Sequence, residues 1–132
     1  EARIADLDAE RTALWMARLA RFLSPSGIVV ATMHGRWSES VHERAPYIGP
    51  DRWSDILAGY RSGGYGYSEY IVEESSSRVS GSYGISMAMP HAMMRILEGI
   101  GGIRVYTYNE RAWADHQDVI VYGGPAYNRP WD

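Results

Sequence analysis

One segment constrains the fold of this chain more than any other, the almost unbroken apolar run Ile28–Met33. A strand with one solvent-exposed face alternates apolar and polar residues, whereas an unbroken apolar run is typical of a strand covered on both faces. The residues just before it, Ser24-Pro25-Ser26-Gly27, end a helix, because proline cannot continue one and glycine tolerates a left-handed turn. The run therefore predicts a buried strand in a layered α/β sheet.

The segment before this strand has helical periodicity. Apolar residues at spacings of three, four and seven predict a helix over 5–23 with one buried stripe. The residues of that stripe are Leu7, Leu14, Trp15, Leu19, Phe22 and Leu23.

Residues 36–50 are polar and predict an irregular segment. Pro50 and Asp51 then offer a helix start, and the apolar spacing from Trp53 predicts that this helix runs to about Tyr60. The alternation over 78–86 predicts a strand.

The last part of the chain predicts a helix and a pair of strands. The helix begins at Pro90 and closes at Gly101-Gly102, and the strands cover 103–108 and 117–122. The eight residues between the strands are too few for a helical crossover, so we expect an antiparallel pair. The tail after Gly123 is expected to be loose.

Composition excludes several functional classes. The net charge is −3 and no basic stretch occurs, which argues against nucleic acid as the main partner. Without cysteine there is no disulfide, no thiolate metal site and no cysteine nucleophile. No signal peptide opens the chain and no apolar run reaches the roughly 20 residues that span a bilayer, so we expect a cytoplasmic protein without membrane contact. Arginine supplies all 13 basic residues, which suggests a bacterial source.

A segment rich in glycine and tyrosine, residues 59–86, stands apart in composition. Its tyrosine rings could stack on a flat substrate as a lid, or they could pack the segment against the sheet, and both roles stay open. The residues concerned are Tyr65, Tyr67, Tyr70 and Tyr83.

Three motifs occur in an order that resembles a known family. Leu23-Ser24-Pro25-Ser26-Gly27 leads into the strand Ile28–Met33, His34-Gly35-Arg36 follows it, and His116-Gln117-Asp118-Val119 opens the last strand. This order is similar to the C-terminal half of class I S-adenosylmethionine-dependent methyltransferases, from the step before strand five to the final hairpin of one bacterial branch. Ser26 stands where the family usually has a glycine.

The resemblance implies a Rossmann-like architecture and a reaction. Residues 1–132 would be a single domain, part of a larger methyltransferase domain, with strands in the order 5-7-6 and residues 59–86 as a cap over a small-molecule acceptor. The cofactor would be S-adenosylmethionine. The family's glycine-rich turn and acidic strand end do not precede residue 5, so we expect the chain alone to bind the cofactor weakly and to be inactive. The edge of Ile28–Met33 would be covered by a second copy, by an N-terminal half or by a rearranged segment.

Two histidines are the candidate catalytic residues. His34 follows the buried strand at its carboxyl end, where ligands gather in open α/β sheets. The 5-7-6 order places His116 at the same edge, with Asp115 and Asp118 nearby. A histidine could accept the proton of an acceptor hydroxyl or amine, or each ring could simply tie a loop to a backbone carbonyl.

Two further possibilities concern metals and alternative functions. A zinc site from His34, His116 and Asp118 is chemically conceivable, but the sequence lacks paired ligands at helical or turn spacing, so no metal is predicted. The alternative to an enzyme is a non-catalytic binding or dimerisation module that uses the tyrosine and glycine segment.

Overall fold

The chain forms a mixed α/β structure in which four helices and six strands are described. A computed structural model describes residues 2, 3, 7–69 and 84–124. The elements in chain order are β1 (Ala2–Arg3), α1 (Ala9–Phe22), β2 (Ile28–Met33), α2 (Arg36–Arg44), α3 (Pro50–Gly63), β3 (Tyr65–Glu69), β4 (Gly84–Ala88), α4 (Pro90–Glu98), β5 (Arg104–Trp113) and β6 (Gln117–Gly123). The predicted tail and residues 78–83 of the predicted strand lie outside the described residues.

The larger sheet has four strands in the order β1-β2-β6-β5. Strand β6 lies antiparallel to β2, from Ile28 opposite Gly123 to Met33 opposite Asp118. Strand β5 is antiparallel to β6, which confirms the predicted final pair. The expected arrangement, with the last strand between the other two, is therefore present. As a result, the carboxyl end of β2 and the beginning of β6 lie side by side at one end of the strands, at the same edge of the sheet.

The open side of β2 is covered in part by the chain itself. Strand β1 runs parallel to β2 and places Ala2 opposite Ala31 and Arg3 opposite Thr32. The sequence pattern did not predict this strand, because two residues show no periodicity and only a distant partner defines them. Residues near the start of the chain thus cover the open side of β2 at two positions.

The main hydrophobic core lies on one face of this sheet. Strand β2 turns Val29, Ala31 and Met33 toward it, all less than 10% exposed. They pack against residues of α1, α4 and β6, namely Met16, Met93, Leu97, Ile120 and Tyr122. On the other face Ile28 is 49% exposed and Thr32 only 1%. The prediction of a strand covered on both faces therefore holds toward its carboxyl end and fails at its start.

Helix α1 confirms the predicted helix, but only Leu7, Leu19 and Leu23 of the six predicted stripe residues pack against the main core. Asp8 caps it by accepting a hydrogen bond from the Arg11 backbone N–H at 2.7 Å. Leu14, Trp15 and Phe22 of the predicted stripe are 47, 46 and 84% exposed, whereas Thr12 and Met16 are fully buried. The assignment was wrong for these three exposed residues. Thr12 hides its hydroxyl in a hydrogen bond to Tyr65, so a polar residue occupies part of the inner face.

The prediction of an irregular segment over 36–50 was also wrong. Helix α2 occupies Arg36–Arg44, and its buried residues are polar, Ser38 and His42. The His42 ring stacks on Trp53 of α3 at 3.8 Å between ring centroids, so an aromatic contact replaces the usual aliphatic stripe. Trp37 and Val41 are the only apolar residues of α2, too few to form an apolar stripe, which is why the sequence did not reveal the helix.

Helix α3 and the strands after it form a second layer. The helix begins at Pro50 as predicted and extends past Tyr60 to Gly63, where Gly64 ends it in a left-handed conformation at φ +80°. Strands β3 and β4 form a separate antiparallel sheet. Ile56 and Tyr60 pack against Ile85 and Met87 in a second core. These contacts fix β4 beside the end of β2, where His34 O accepts a hydrogen bond from Ala88 N at 2.9 Å.

Within the described residues, no helix combines the length and the apolar character that crossing a membrane requires.

Candidate functional site

The two predicted histidines meet at the edge shared by β2 and β6. Their ring centroids lie 5.5 Å apart, with an angle of 68° between the ring planes, so the contact is edge to face. His34 is the first residue after β2, and His116 is the last residue before β6. The antiparallel register of these strands brings two residues 82 positions apart in sequence into contact. The predicted geometry of the pair is thus present, and its chemical role stays a prediction.

The ring of His34 is held at both nitrogens. Its Nδ1 lies 3.1 Å from the Ser86 carbonyl oxygen in β4, and its Nε2 lies 3.2 Å from Gln117 Nε2. A carbonyl only accepts, so Nδ1 carries the proton and Nε2 accepts from the Gln117 amide. This arrangement matches the alternative in which a histidine ties a loop to a backbone carbonyl. His34 is therefore a poor candidate for a base, but its fixed ring is well positioned to line the site.

His116 differs from His34 in its surroundings. It is half-buried and follows Ala114 and Asp115, which both adopt φ +54° in the tight turn between β5 and β6. Its backbone N–H donates to Trp113 O at 3.0 Å, which fixes the turn. No hydrogen bond from a described residue engages its ring nitrogens. The ring of His116 is therefore held by fewer contacts within the described residues than the ring of His34.

Asp118 is the most deeply buried charged residue of the site, with no exposed surface. Its Oδ2 accepts from the Tyr108 hydroxyl at 2.9 Å, and its Oδ1 accepts from the Arg111 backbone N–H at 3.1 Å. Burial raises the pKa of Asp118, and these two hydrogen bonds offset part of that effect. Burial and the neighbouring carboxylate raise the pKa of Tyr108 in turn. Asp118 therefore organises the protein around the site and is shielded from solvent.

Gly35 owes its position to the same carboxylate. It is buried as the N-cap of α2, and a β-carbon there would collide with the carboxyl group of Asp118. The close approach lets α2 begin directly at the edge where the histidines lie. The glycine of the predicted His-Gly ending is thus required by packing between α2 and β6.

A bulge in β5 completes the edge. The register between β5 and β6 shifts between Asn109 and Trp113, and Arg111 within it adopts φ +59°. Bulges commonly re-aim side chains beside functional sites. Here the Glu110 carboxylate accepts hydrogen bonds from Nε and Nη2 of Arg36, at 2.7 and 2.8 Å. These bonds connect the bulge to α2.

Sequence reasoning missed three residues of this edge: Tyr108, Arg111 and Gln117. Gln117 lies within the quoted His-Gln-Asp motif, so the motif pointed to it without giving it a role. Alternation in β5 places Tyr108 opposite Ile120 on the core face, a signal that could have linked it to Asp118. Arg111 gives no such signal, because the bulge interrupts the alternation around it.

Two of the four candidate tyrosines, Tyr65 and Tyr67, lie within the described residues. Tyr65 lies in β3 and packs against the main core, and its hydroxyl donates to Leu7 O at 2.7 Å and contacts Thr12 Oγ1 at 2.8 Å. Burial raises the pKa of Tyr65 to about 12. Tyr67 is half-buried in the same strand, and Tyr70 and Tyr83 lie outside the described residues. For Tyr65, these contacts favour the packing role over the lid.

Replacing Tyr65 with phenylalanine tests that packing role. We expect Tyr65→Phe to lower the free energy of unfolding by about 2 kcal/mol, because it leaves the buried Thr12 hydroxyl and the Leu7 carbonyl without their partner. Urea titration followed by tryptophan fluorescence measures the change. In a Thr12→Val background the same substitution should cost clearly less, since one orphaned group is already gone. A full-sized loss in both backgrounds would contradict this account.

The three conceivable zinc ligands are not grouped as a metal site within the described residues. Among residues 7–69 and 84–124, no three histidine, aspartate or glutamate side chains are grouped so that they could hold a metal ion. Asp118, one of the three conceivable zinc ligands, is instead bound by Tyr108 and Arg111.

Comparison of the chain with protein-family models, with curated proteins and with solved structures found no match.

Proposed function

We propose that this chain forms the acceptor side of an enzyme that transfers a methyl group from S-adenosylmethionine to a small molecule. The observation that carries the proposal is the meeting of His34 and His116 at 5.5 Å, at the carboxyl end of β2. The strand order supports it, because β6 lies between β2 and β5, as the family resemblance implies for its strands five to seven. The parallel strand β1 lies where that family has strand four.

The glycine turns considered within the described residues are not arranged like a nucleotide-binding turn. The left-handed glycines Gly64 and Gly102 both lie between a helix and a following strand, the reverse of the order in a nucleotide-binding turn. Gly35 does lie between a strand and a helix, but Asp118 fills the space beside it. We therefore assign cofactor binding to residues other than these and assign to this chain the handling of the acceptor.

In the proposed reaction His116 is the base. The acceptor oxygen or nitrogen forms a bond to the methyl carbon, the sulfonium–methyl bond breaks, and the acceptor's proton passes to a ring nitrogen of His116. His34 and Gln117 line the site beside His116. Positioning supplies most of the acceleration in such an in-line displacement, which suits a rigid edge built from two paired strands.

The test is methyl transfer by the protein in which this segment occurs, purified at its natural length. It is incubated with methyl-tritiated S-adenosylmethionine and a low-molecular-weight extract of the source cells, and tritium is followed into small molecules. Transfer to one compound supports the proposal. No transfer, together with no binding of the cofactor in calorimetry, would overturn it.

Substitution of the two histidines separates their roles. We expect His116→Asn to lower turnover by about a hundredfold or more with the folded structure intact, because the proton acceptor is lost. His34→Asn should lower the free energy of unfolding by about 1 kcal/mol and leave turnover per folded molecule within a few fold, because that ring is tied to Ser86 and Gln117. His91→Asn, at an exposed position on α4, is the matched control. Equal turnover in the His116 variant and the control would remove His116 from the mechanism.

The alternative, a binding module built on the tyrosine segment, has less support. A stacking platform needs rings open to a ligand, whereas the Tyr65 hydroxyl is occupied by Leu7 and Thr12.

A further inference from the structure

A groove that adjoins Asp118 of the candidate site is lined by two arginines. It lies between α2 and the bulge of β5, has a volume of about 230 Å³, and is lined by Arg36, Trp37, Ser40, Glu110 and Arg111. This size suits one functional group rather than a whole ligand, since complete small-molecule sites usually exceed roughly 300 Å³. The groove adjoins the candidate site through Arg111, whose backbone N–H donates to Asp118.

Guanidinium groups and one indole ring shape the groove. The Arg111 guanidinium carbon lies 3.8 Å from the centre of the Trp37 ring, and that of Arg44 lies 4.9 Å from it. Arg36 is already paired through two hydrogen bonds with Glu110. The neighbourhood thus holds three guanidinium groups and three carboxylates, those of Glu110, Asp115 and the buried Asp118. The guanidinium groups of Arg36 and Arg111, which line the groove, are the groups that would bind an anionic part of a ligand.

Arg111 is the residue whose bonding is incomplete. Its Nη2 donates to Asp115 Oδ1 at 2.7 Å, but its Nε is buried and has no hydrogen-bond partner among the described residues. A buried charged donor without a partner is costly, and a bidentate carboxylate would satisfy the Nε and Nη2 edge together. Arg36 shows that geometry with Glu110 in the same groove.

Asp115 occupies this edge only loosely. Its side chain is 81% exposed, and its carboxylate reaches one of the two donors. An exposed ion pair of this kind contributes little to stability, so a ligand could displace it readily. A carboxylate that brings two oxygens would make one more hydrogen bond with Arg111 than Asp115 does.

We propose that this groove is the subsite for a carboxylate group of the methyl acceptor, which displaces Asp115 and binds the Nε and Nη2 edge of Arg111. The inference rests on the proposed function in that it names the class of acceptor, a small carboxylic acid. The backbone strain at Arg111, held by the bulge and by Asp118, fits a residue fixed in position for a ligand.

The test uses the chain without any cofactor, so it is independent of methyl transfer. Calorimetry and the arginine Nε–H signals in NMR spectra follow the binding of benzoate, its neutral analogue benzamide, and inorganic phosphate. We expect benzoate to shift the Arg111 signal and benzamide to leave it unchanged. Arg111→Gln should weaken benzoate binding at least tenfold, whereas Arg95→Gln on the exposed side of α4 should not.

A second variant moves affinity in the opposite direction. Asp115→Asn removes the competing carboxylate and should tighten benzoate binding several fold, while Glu98→Gln, the same charge change at an exposed position on α4, should not. Damage to the fold cannot produce a gain of affinity, so this arm stays informative if Arg111→Gln folds poorly. Unchanged affinity in Asp115→Asn, or tighter binding of phosphate than of benzoate, would overturn the assignment. Methyl transfer to a neutral acceptor would overturn it while leaving the proposed function standing.

Discussion

Gly35→Ala is expected to lower the free energy of unfolding by about 3 kcal/mol, although the substitution adds one methyl group. The backbone at Gly35 has φ −98°, which alanine adopts without strain, so conformation is not the cause. The cause is the collision of the new β-carbon with the buried carboxyl group of Asp118. Relieving it moves either α2 or a carboxylate that holds two hydrogen bonds, and overpacking of this kind typically costs roughly 1–3 kcal/mol before those bonds are weakened.

Gly49→Ala is the matched control for this prediction. Gly49 is the N-cap of α3, it too lacks a side-chain cap, and a β-carbon there meets no atom within 4 Å. The general preference for glycine over alanine at an N-cap applies to both positions and should cost less than about 1 kcal/mol. Urea titrations of both variants isolate the contribution of Asp118. Equal losses at the two positions would show that the cap, and not the collision, limits stability.

The elements that sequence analysis predicted well are those set by local patterns. The apolar run of β2, the Pro50 and Pro90 helix starts and the short connection before β6 each fix an element within a few residues of its own sequence. Strand order then followed from the family resemblance, and it placed His34 and His116 at one edge. The structure bears out that placement because a two-strand register leaves the histidines no other edge.

The elements that it missed depend on distant partners. Helix α2 turns His42 inward, which is stable only because Trp53 of another helix stacks on it. The inner face of α1 contains Thr12 because Tyr65, 53 residues away, bonds to its hydroxyl. Such polar contacts add no apolar residue to the sequence pattern, so the pattern identified only part of the inner face of α1 and did not reveal α2.

The candidate site divides in the same way. The histidines follow or precede strands, so strand order sufficed to bring them together. The same reasoning placed Asp118 nearby, but it did not reveal Arg111, since the β5 bulge shifts the register and turns the Arg111 N–H toward Asp118. The sequence motif therefore located the site, whereas the hydrogen bonds that hold both ring nitrogens of His34 required the structure.

Asp118→Ala is expected to have the largest effect on stability, a loss of about 4 kcal/mol. It orphans two donors, the Tyr108 hydroxyl and the Arg111 N–H, each at a cost of roughly 1–3 kcal/mol, and it leaves a small cavity. It also vacates the space beside Gly35, so Gly35→Ala should cost much less in the Asp118→Ala background than in the wild type. Additive losses in the double variant would contradict the proposed collision.

Asp118→Asn should be far milder and should reveal the titration of the carboxyl group. An asparagine can accept from the Arg111 N–H and donate to the Tyr108 oxygen, so it keeps both contacts without a buried charge. Burial raises the pKa of Asp118 in the folded state, so the folded protein binds this proton more tightly than the unfolded chain does. The carboxyl group therefore stabilises the folded state most at pH values below its ordinary pKa. This stabilisation is lost as the pH rises through the folded-state pKa. Asparagine does not titrate, so wild-type stability relative to Asp118→Asn should fall over that window and stay level above it. Urea titrations of both proteins between about pH 3.5 and pH 8 measure the difference between their free energies of unfolding. A difference independent of pH would show that the pKa of Asp118 is not raised in the folded protein.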